Sequence, residues 1–122
     1  MPKDLEPYLL VAAGGFAGAC ARYVVNVIVP SLPGILIANV TGCVLLGFLL
    51  YEAIYAGAFS PRARLLFGAG FLGAYTTFST FSLQTLRASP ELALLNLAAN
   101  LLLGLAGVLV GRQLAILTAR RA

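Results

Sequence analysis

Eight of the eleven residues from Tyr75 to Thr85 carry a hydroxyl or an amide, inside a stretch (65–86) that contains no charge. An isolated Ser or Thr in an apolar helix bonds back to its own backbone, but a run this dense points to a functional polar core. Its hydroxyl and amide hydrogens can donate to an anion. Phe78 and Phe81 are three apart, which puts them on one helical face. The rim of an aromatic ring is positive and can face an anion while its body stays in apolar surroundings. Gly70 and Gly73 precede the run and invite the helix to unwind. Unwound backbone at membrane depth survives only inside protein or along a wet cavity. Its freed carbonyls would suit a hard cation such as Na⁺. The stretch has no carboxylate for a cationic substrate or a proton, so the chemistry is that of a small-anion pathway with room for a structural cation.

Other segments supply matching groups. Asn39 lies in Gly34-Ile35-Leu36-Ile37-Ala38-Asn39-Val40-Thr41-Gly42, and an amide in so apolar a setting should face protein, as interhelical glue or as part of the pathway. Asn96, Asn100 and Gly104 follow at i, i+4, i+8 and form one polar and small stripe, again glue or pore wall. Arg22 stands seven residues before Val29, about 10 Å of helix from that end. It can snorkel to the interface or draw anions into a vestibule.

The elements that must hold these groups are spanning helices. The chain has 122 residues, of which 61% are hydrophobic and 10% charged, against about 25% charged in a soluble domain. An ordinary soluble enzyme or binding module is excluded. With no His and no close pair of acids in an apolar setting, so is most conventional catalysis. Charges are sparse enough to leave four long apolar stretches, each near the roughly 20 residues a bilayer requires. The expected architecture is an all-α membrane protein, one transmembrane domain over 1–122, with helices at about 7–29, 33–57, 64–86 and 91–117. The third of these is expected to break near its middle. Turns at 29–33, 60–64 and 88–90 join them, with Pro at helix starts, where its missing N–H costs little.

Gly14 with Gly18, and Gly107 with Gly111, are GxxxG pairs that let helices approach closely. Four thin helices make a poor pore alone, so oligomerisation is expected. Cys20 and Cys43 fall inside helices and read as small buried hydrophobes rather than a disulfide. The first apolar stretch carries glycines and Arg22 behind a single early Lys3, which argues against a cleaved leader. An even helix count gathers Lys3, Arg62, Arg64, Arg120 and Arg121 on one side and Arg87 on the other, which places the termini in the cytoplasm.

Three segments taken in order resemble the Fluc/CrcB family of fluoride channels. They are Gly14-Gly15-Phe16-Ala17-Gly18-Ala19-Cys20-Ala21-Arg22-Tyr23, then Gly34 to Gly42 with Asn39, then Gly70 to Phe81 with Thr76-Thr77-Phe78-Ser79-Thr80-Phe81. With the four-helix layout they cover nearly the whole chain. The resemblance implies a channel, not an enzyme, for passive export of fluoride across the inner (plasma) membrane of a prokaryote. It implies an antiparallel, dual-topology dimer with two narrow pores. Phe78, Phe81 and Asn39 would line them, Ser79 and Thr80 would form a hydroxyl track, and the carbonyls of Gly73 and Thr76 would hold a central Na⁺. Asn96 and Asn100 would fall on a pore wall. Ile35 stands where many members of the family carry a Thr.

The partners so implied are fluoride, Na⁺, the lipid bilayer and a second copy of the chain, with no nucleic acid. The charge asymmetry, five bases against one, sits awkwardly with a chain that inserts both ways and raises a heterodimer with an oppositely oriented paralogue as the alternative. Two other classes fit less well. A dual-topology drug exporter needs a mid-membrane acid, whereas Glu52 lies near a helix end. A membrane scaffold would leave the Thr/Ser/Phe run unexplained.

Overall fold

The computed structural model describes residues 2–122, and among them every regular element is helical. Helix α1 (Glu6–Ile28) and helix α2 (Leu32–Tyr55) are joined by a tight turn in which Ser31 adopts a positive φ of 69°. A run of four elements follows: α3 (Pro61–Arg64), a π-helical stretch (Leu65–Leu72), α4 (Gly73–Tyr75) and, after the non-helical link 76–78, α5 (Ser79–Arg87). Helix α6 (Pro90–Arg121) completes the chain. Helices α1, α2 and α6 are each long and apolar enough to cross a membrane.

Two of the starts repeat one device. Ser60 accepts a hydrogen bond from Ala63 N at 3.1 Å and Ser89 accepts one from Leu92 N at 3.4 Å, each followed by Pro at the first helical position. Helix α2 ends where Gly57 turns left-handed, at φ 65°. Glu52, buried at 3% exposure, turns its Oε1 onto the N–H groups of Ala58 and Phe59 and fastens the connection that follows. An acid in an apolar helix thus serves the loop.

The helices pack in two seams that glycines make possible. Helix α1 lies against the π-helical stretch, where side chains at Gly14 and Gly18 would collide with the backbone of Leu66 and Phe71. Helix α2 lies against α6, where a side chain at Gly111 would strike the backbone of Val44 and Phe48. Between the seams sits a small core of Ala38, Leu49, Leu72 and Tyr75, with Phe71 stacked on Tyr75 at 5.7 Å. Much of the remaining surface is apolar: Phe16, Leu94, Leu102, Leu105 and Leu109 are all more than half exposed. Arg112, on α6, sits over the Tyr51 ring at 5.5 Å. Cys20 is exposed on the single chain, contrary to the buried role its apolar setting suggests, and Cys43 is half-buried. Residue 20 lies on the outward side of α1, a direction that a uniformly apolar helix does not encode.

Candidate functional site

Helix α2 reaches the link 76–78 and the residue just before it with three contacts. Asn39 makes a two-point clasp on the Thr77 peptide groups: its Oδ1 accepts from Thr77 N at 2.8 Å and its Nδ2 donates to Thr77 O at 3.1 Å. Thr41 Oγ1 lies 2.9 Å from the hydroxyl of Tyr75, the last residue of α4. Its own hydrogen goes to the Ile37 carbonyl at 2.6 Å, so Tyr75 is the donor. Gly42 lies against Thr76 Cγ2, so a side chain there would force the Thr76 methyl to move. These contacts account for the local backbone. Thr76 N still closes on Leu72 O at 3.1 Å, but Thr76 then turns extended, at φ −79° and ψ 157°. The Thr77 N–H, which would bond the Gly73 carbonyl in a continuing helix, is given to Asn39 instead. Thr77 Oγ1 accepts from Thr80 N at 3.2 Å and starts α5.

The sequence-predicted residues are placed as follows. Asn39, Phe78, Phe81 and Asn100 share an open cleft of about 310 Å³ with Cys43 and Thr77. Phe78 and Phe81 have ring centroids 5.7 Å apart and tilted 46°. They do not share one helical face, because Phe78 belongs to the link and Phe81 to α5: Phe78 is 79% exposed and Phe81 8%. Ser79 is exposed, its Oγ 3.3 Å from Thr77 Oγ1, and Thr80 is half-buried; neither lines the cleft. Arg22 donates to the Thr76 carbonyl at 3.3 Å, so its guanidinium reaches the link from α1. Gly73, at the start of α4, is exposed. Asn96 is buried outside the cleft, and Ile35, at 1% exposure, is packed in the protein.

Sequence reasoning named Thr85 only within the polar run and did not single out Thr41, Gly42 or Cys43 as members of this region. Position gave a partial signal, since Thr41, Gly42 and Cys43 follow Asn39 within about one helical turn. Which of them face the link depends on how α2 is rotated, and nothing in the sequence fixes that. A separate hollow of about 370 Å³, lined by residues such as Leu45, Phe48, Phe67 and Phe71, offers almost no polar group and no comparable chemistry.

Chemically, the cleft offers aromatic edges, amide groups, hydroxyls, one thiol and backbone carbonyls, and no carboxylate, imidazole or amine. Such a lining can hold or pass an ion, and its thiol, Cys43, has no general base beside it in the cleft. With three spanning helices and an apolar exterior, the class is an integral, multi-pass membrane protein. The family described as CrcB-like protein, Camphor Resistance (CrcB), matches residues 9–112. The chain is 51% identical to "Fluoride-specific ion channel FluC 1" of Methanospirillum hungatei over 121 residues, 99% of this chain and 84% of that one. It is 44% identical to "Fluoride-specific ion channel FluC 2" of Methanosarcina barkeri, over 91% of this chain and 88% of that one. It is 43% identical to "Fluoride-specific ion channel FluC 1" of Haloarcula marismortui, over 89% of this chain and 85% of that one. The chain belongs to the Fluc/CrcB family.

Proposed function

We propose that this protein is a fluoride-selective channel, not an enzyme, that lets fluoride leave the cytoplasm passively across a prokaryotic inner membrane. The observation that carries the reading is the cleft at 76–78, where Asn39, Phe78, Phe81 and Asn100 meet in a chain similar to fluoride-specific channels. Fluoride is small and tightly hydrated, so a selective pore replaces its water with donors and positive ring edges, each weak enough to release it. Phe78, Phe81 and Asn39 line the route, with Ser79 and Thr80 as a hydroxyl track beside them and Arg22 drawing anions towards it. The segment Pro61–Arg87 is then one membrane span broken at its middle.

The working unit is an antiparallel homodimer. The motive is the openness of the cleft on a single chain, with Phe78 projecting from it. The imbalance of bases leaves a heterodimer with an oppositely oriented paralogue as the competing assembly. Expression of this chain alone decides between them, because a homodimer conducts fluoride without a partner.

The donor chemistry fits a structural Na⁺ at the dimer centre. The Gly73 carbonyl is relieved of its helical partner by Asn39, and the extended Thr76 offers a second hard oxygen. Arg22 already donates to the Thr76 carbonyl at 3.3 Å, and the second lone pair of that oxygen would be the one to hold the ion. When bound, the ion would supply fixed positive charge beside the link, and this chain's own part is to keep the Thr77 N–H off the Gly73 carbonyl through Asn39.

The test is efflux from proteoliposomes followed with a fluoride electrode. Fluoride should leave while chloride is retained, and failure to release fluoride under those conditions rejects the reading. Phe81→Ile should reduce flux by about tenfold or more while the assembled protein keeps its size, since it removes the aromatic edge without opening the packing. Normal flux in that variant would remove Phe81 from the pore.

A further inference from the structure

The structure assigns to Asn96 and Thr85 a positioning role: they hold the Asn100 amide so that its Oδ1 stays on the Asn39 hydrogens, and so set which anions can take those hydrogens. The inference rests on the fluoride pathway proposed above. Neither residue lines the cleft. They act from behind it, through a run of hydrogen bonds that reaches Asn39 from the far end of α5.

The sense of that run is fixed at both ends. The Thr77 N–H can only donate, so Asn39 must turn Oδ1 towards it, at 2.8 Å. Its Nδ2 then faces two acceptors, Thr77 O and Asn100 Oδ1, each at 3.1 Å. With Oδ1 committed to Asn39, Asn100 points Nδ2 at Asn96, where it meets Oδ1 at 3.1 Å and the main-chain oxygen at 2.9 Å. Asn96 therefore presents its own Nδ2 to Thr85 Oγ1, at 2.8 Å. Thr85 has already given its hydrogen to the Phe81 carbonyl, at 2.7 Å, so its oxygen accepts. A flipped amide anywhere in the run would set oxygen against oxygen and N–H against N–H. The assignment follows from the two ends. Asn96 is 6% exposed, so a mismatch there could not be relieved by water.

The consequence falls on the ion. Both Nδ2 hydrogens of Asn39 are already held by carbonyl-type oxygens, and a passing anion has to displace one of them. Asn100 Oδ1, on a side chain, is the one that can turn away; Thr77 O is main chain. Among halides, fluoride is the strongest hydrogen-bond acceptor and competes with an amide oxygen, whereas chloride competes poorly. Asn39 thus selects by acceptor strength, and the oxygen waiting to return keeps fluoride from being held too long. Without the run, Asn100 is free to rotate, the Asn39 hydrogens lose their competitor, and chloride meets less opposition.

The test measures fluoride and chloride efflux from proteoliposomes of the full chain. A wild-type protein that releases no fluoride would remove the pathway itself, and the inference with it. Given wild-type fluoride selectivity, Thr85→Val keeps the side-chain shape without the hydroxyl, and Asn96→Leu cuts the next step. Both should lower the fluoride-to-chloride permeability ratio about tenfold, the worth of one buried hydrogen bond. Thr85→Ser restores the hydroxyl and should restore the ratio. An unchanged ratio in Thr85→Val and Asn96→Leu overturns the assignment, and so does a fall in flux with the ratio intact, the mark of mere structural damage. If Asn96→Leu does not assemble, Thr85→Ala against Thr85→Ser decides by the same ratio.

Discussion

The two sides of Thr76 are held by different kinds of contact. On the N-terminal side, the stretch Leu65–Leu72 rests on α1 through main chain against main chain, with Gly14 and Gly18 removing the side chains that would intervene. On the C-terminal side, the link and α5 are held by side-chain hydrogen bonds from Asn39 on α2 and Asn96 on α6. The first contact is steric, dry and without an alternative. Every bond in the second can be exchanged for a bond to something else. The proposed ion route needs groups that change partners cheaply, and apart from the Tyr75–Thr41 pair they lie on the second side. In the proposed channel the first side serves as an anvil that fixes the N-terminal half while the C-terminal half exchanges partners with an ion.

The comparison is broken most severely by Gly18→Val. A side chain there meets the Phe71 carbonyl, which belongs to the main chain and cannot step aside, so the variant should lose about 3 kcal/mol or more. Loss of extractable, correctly sized protein would be the readout. Asn39→Leu attacks the other side. It strands the Thr77 N–H and carbonyl and the Asn100 Oδ1, at about 1–3 kcal/mol for each group that finds no water. Thermal unfolding in detergent should show a smaller loss than Gly18→Val, yet fluoride flux should fall sharply. If Asn39→Leu conducts normally, the distinction between a rigid and an exchangeable side fails. Thr41→Val sharpens the picture by removing the acceptor for the Tyr75 hydroxyl, worth about 1 kcal/mol in unfolding, with the Asn39 clasp intact. The smallest effect belongs to Arg62→Ala. Its 2.7 Å pair with Glu6 is exposed at 73% and 36%, so the change should stay within about 0.5 kcal/mol and shrink further in salt.

Much of the construction is legible in the residues. Ser60-Pro61 and Ser89-Pro90 announce two helix starts, and both serines cap as their type suggests. An amide at position 39 in an apolar helix had to face protein, and it does. The spacing of Asn96 and Asn100 put them on one stripe, and they are bonded to each other. The two differ in place: Asn100 reaches the cleft and Asn96 does not. Less legible was the relation of Phe78 to Phe81. A spacing of three implies a shared face only if the helix runs unbroken through both, and here it begins at Ser79.

The sequence by itself determined that this chain lives in a bilayer and that its polar run 75–85 carries no charge, because hydrophobicity and the scarcity of acids are sums over residues and need no geometry. Family membership belongs there as well, since motifs in order survive without coordinates. Only the tertiary structure decided which groups meet: the Asn39 amide with a peptide group 38 residues later, Arg22 with the Thr76 carbonyl, and Asn96 with Thr85. The physical reason is rotational. A helix that is apolar on every side has no wet face and no dry face to orient it. Its rotation is set by where glycines allow backbones to close and where buried amides find partners, and both are properties of pairs of helices rather than of any one of them.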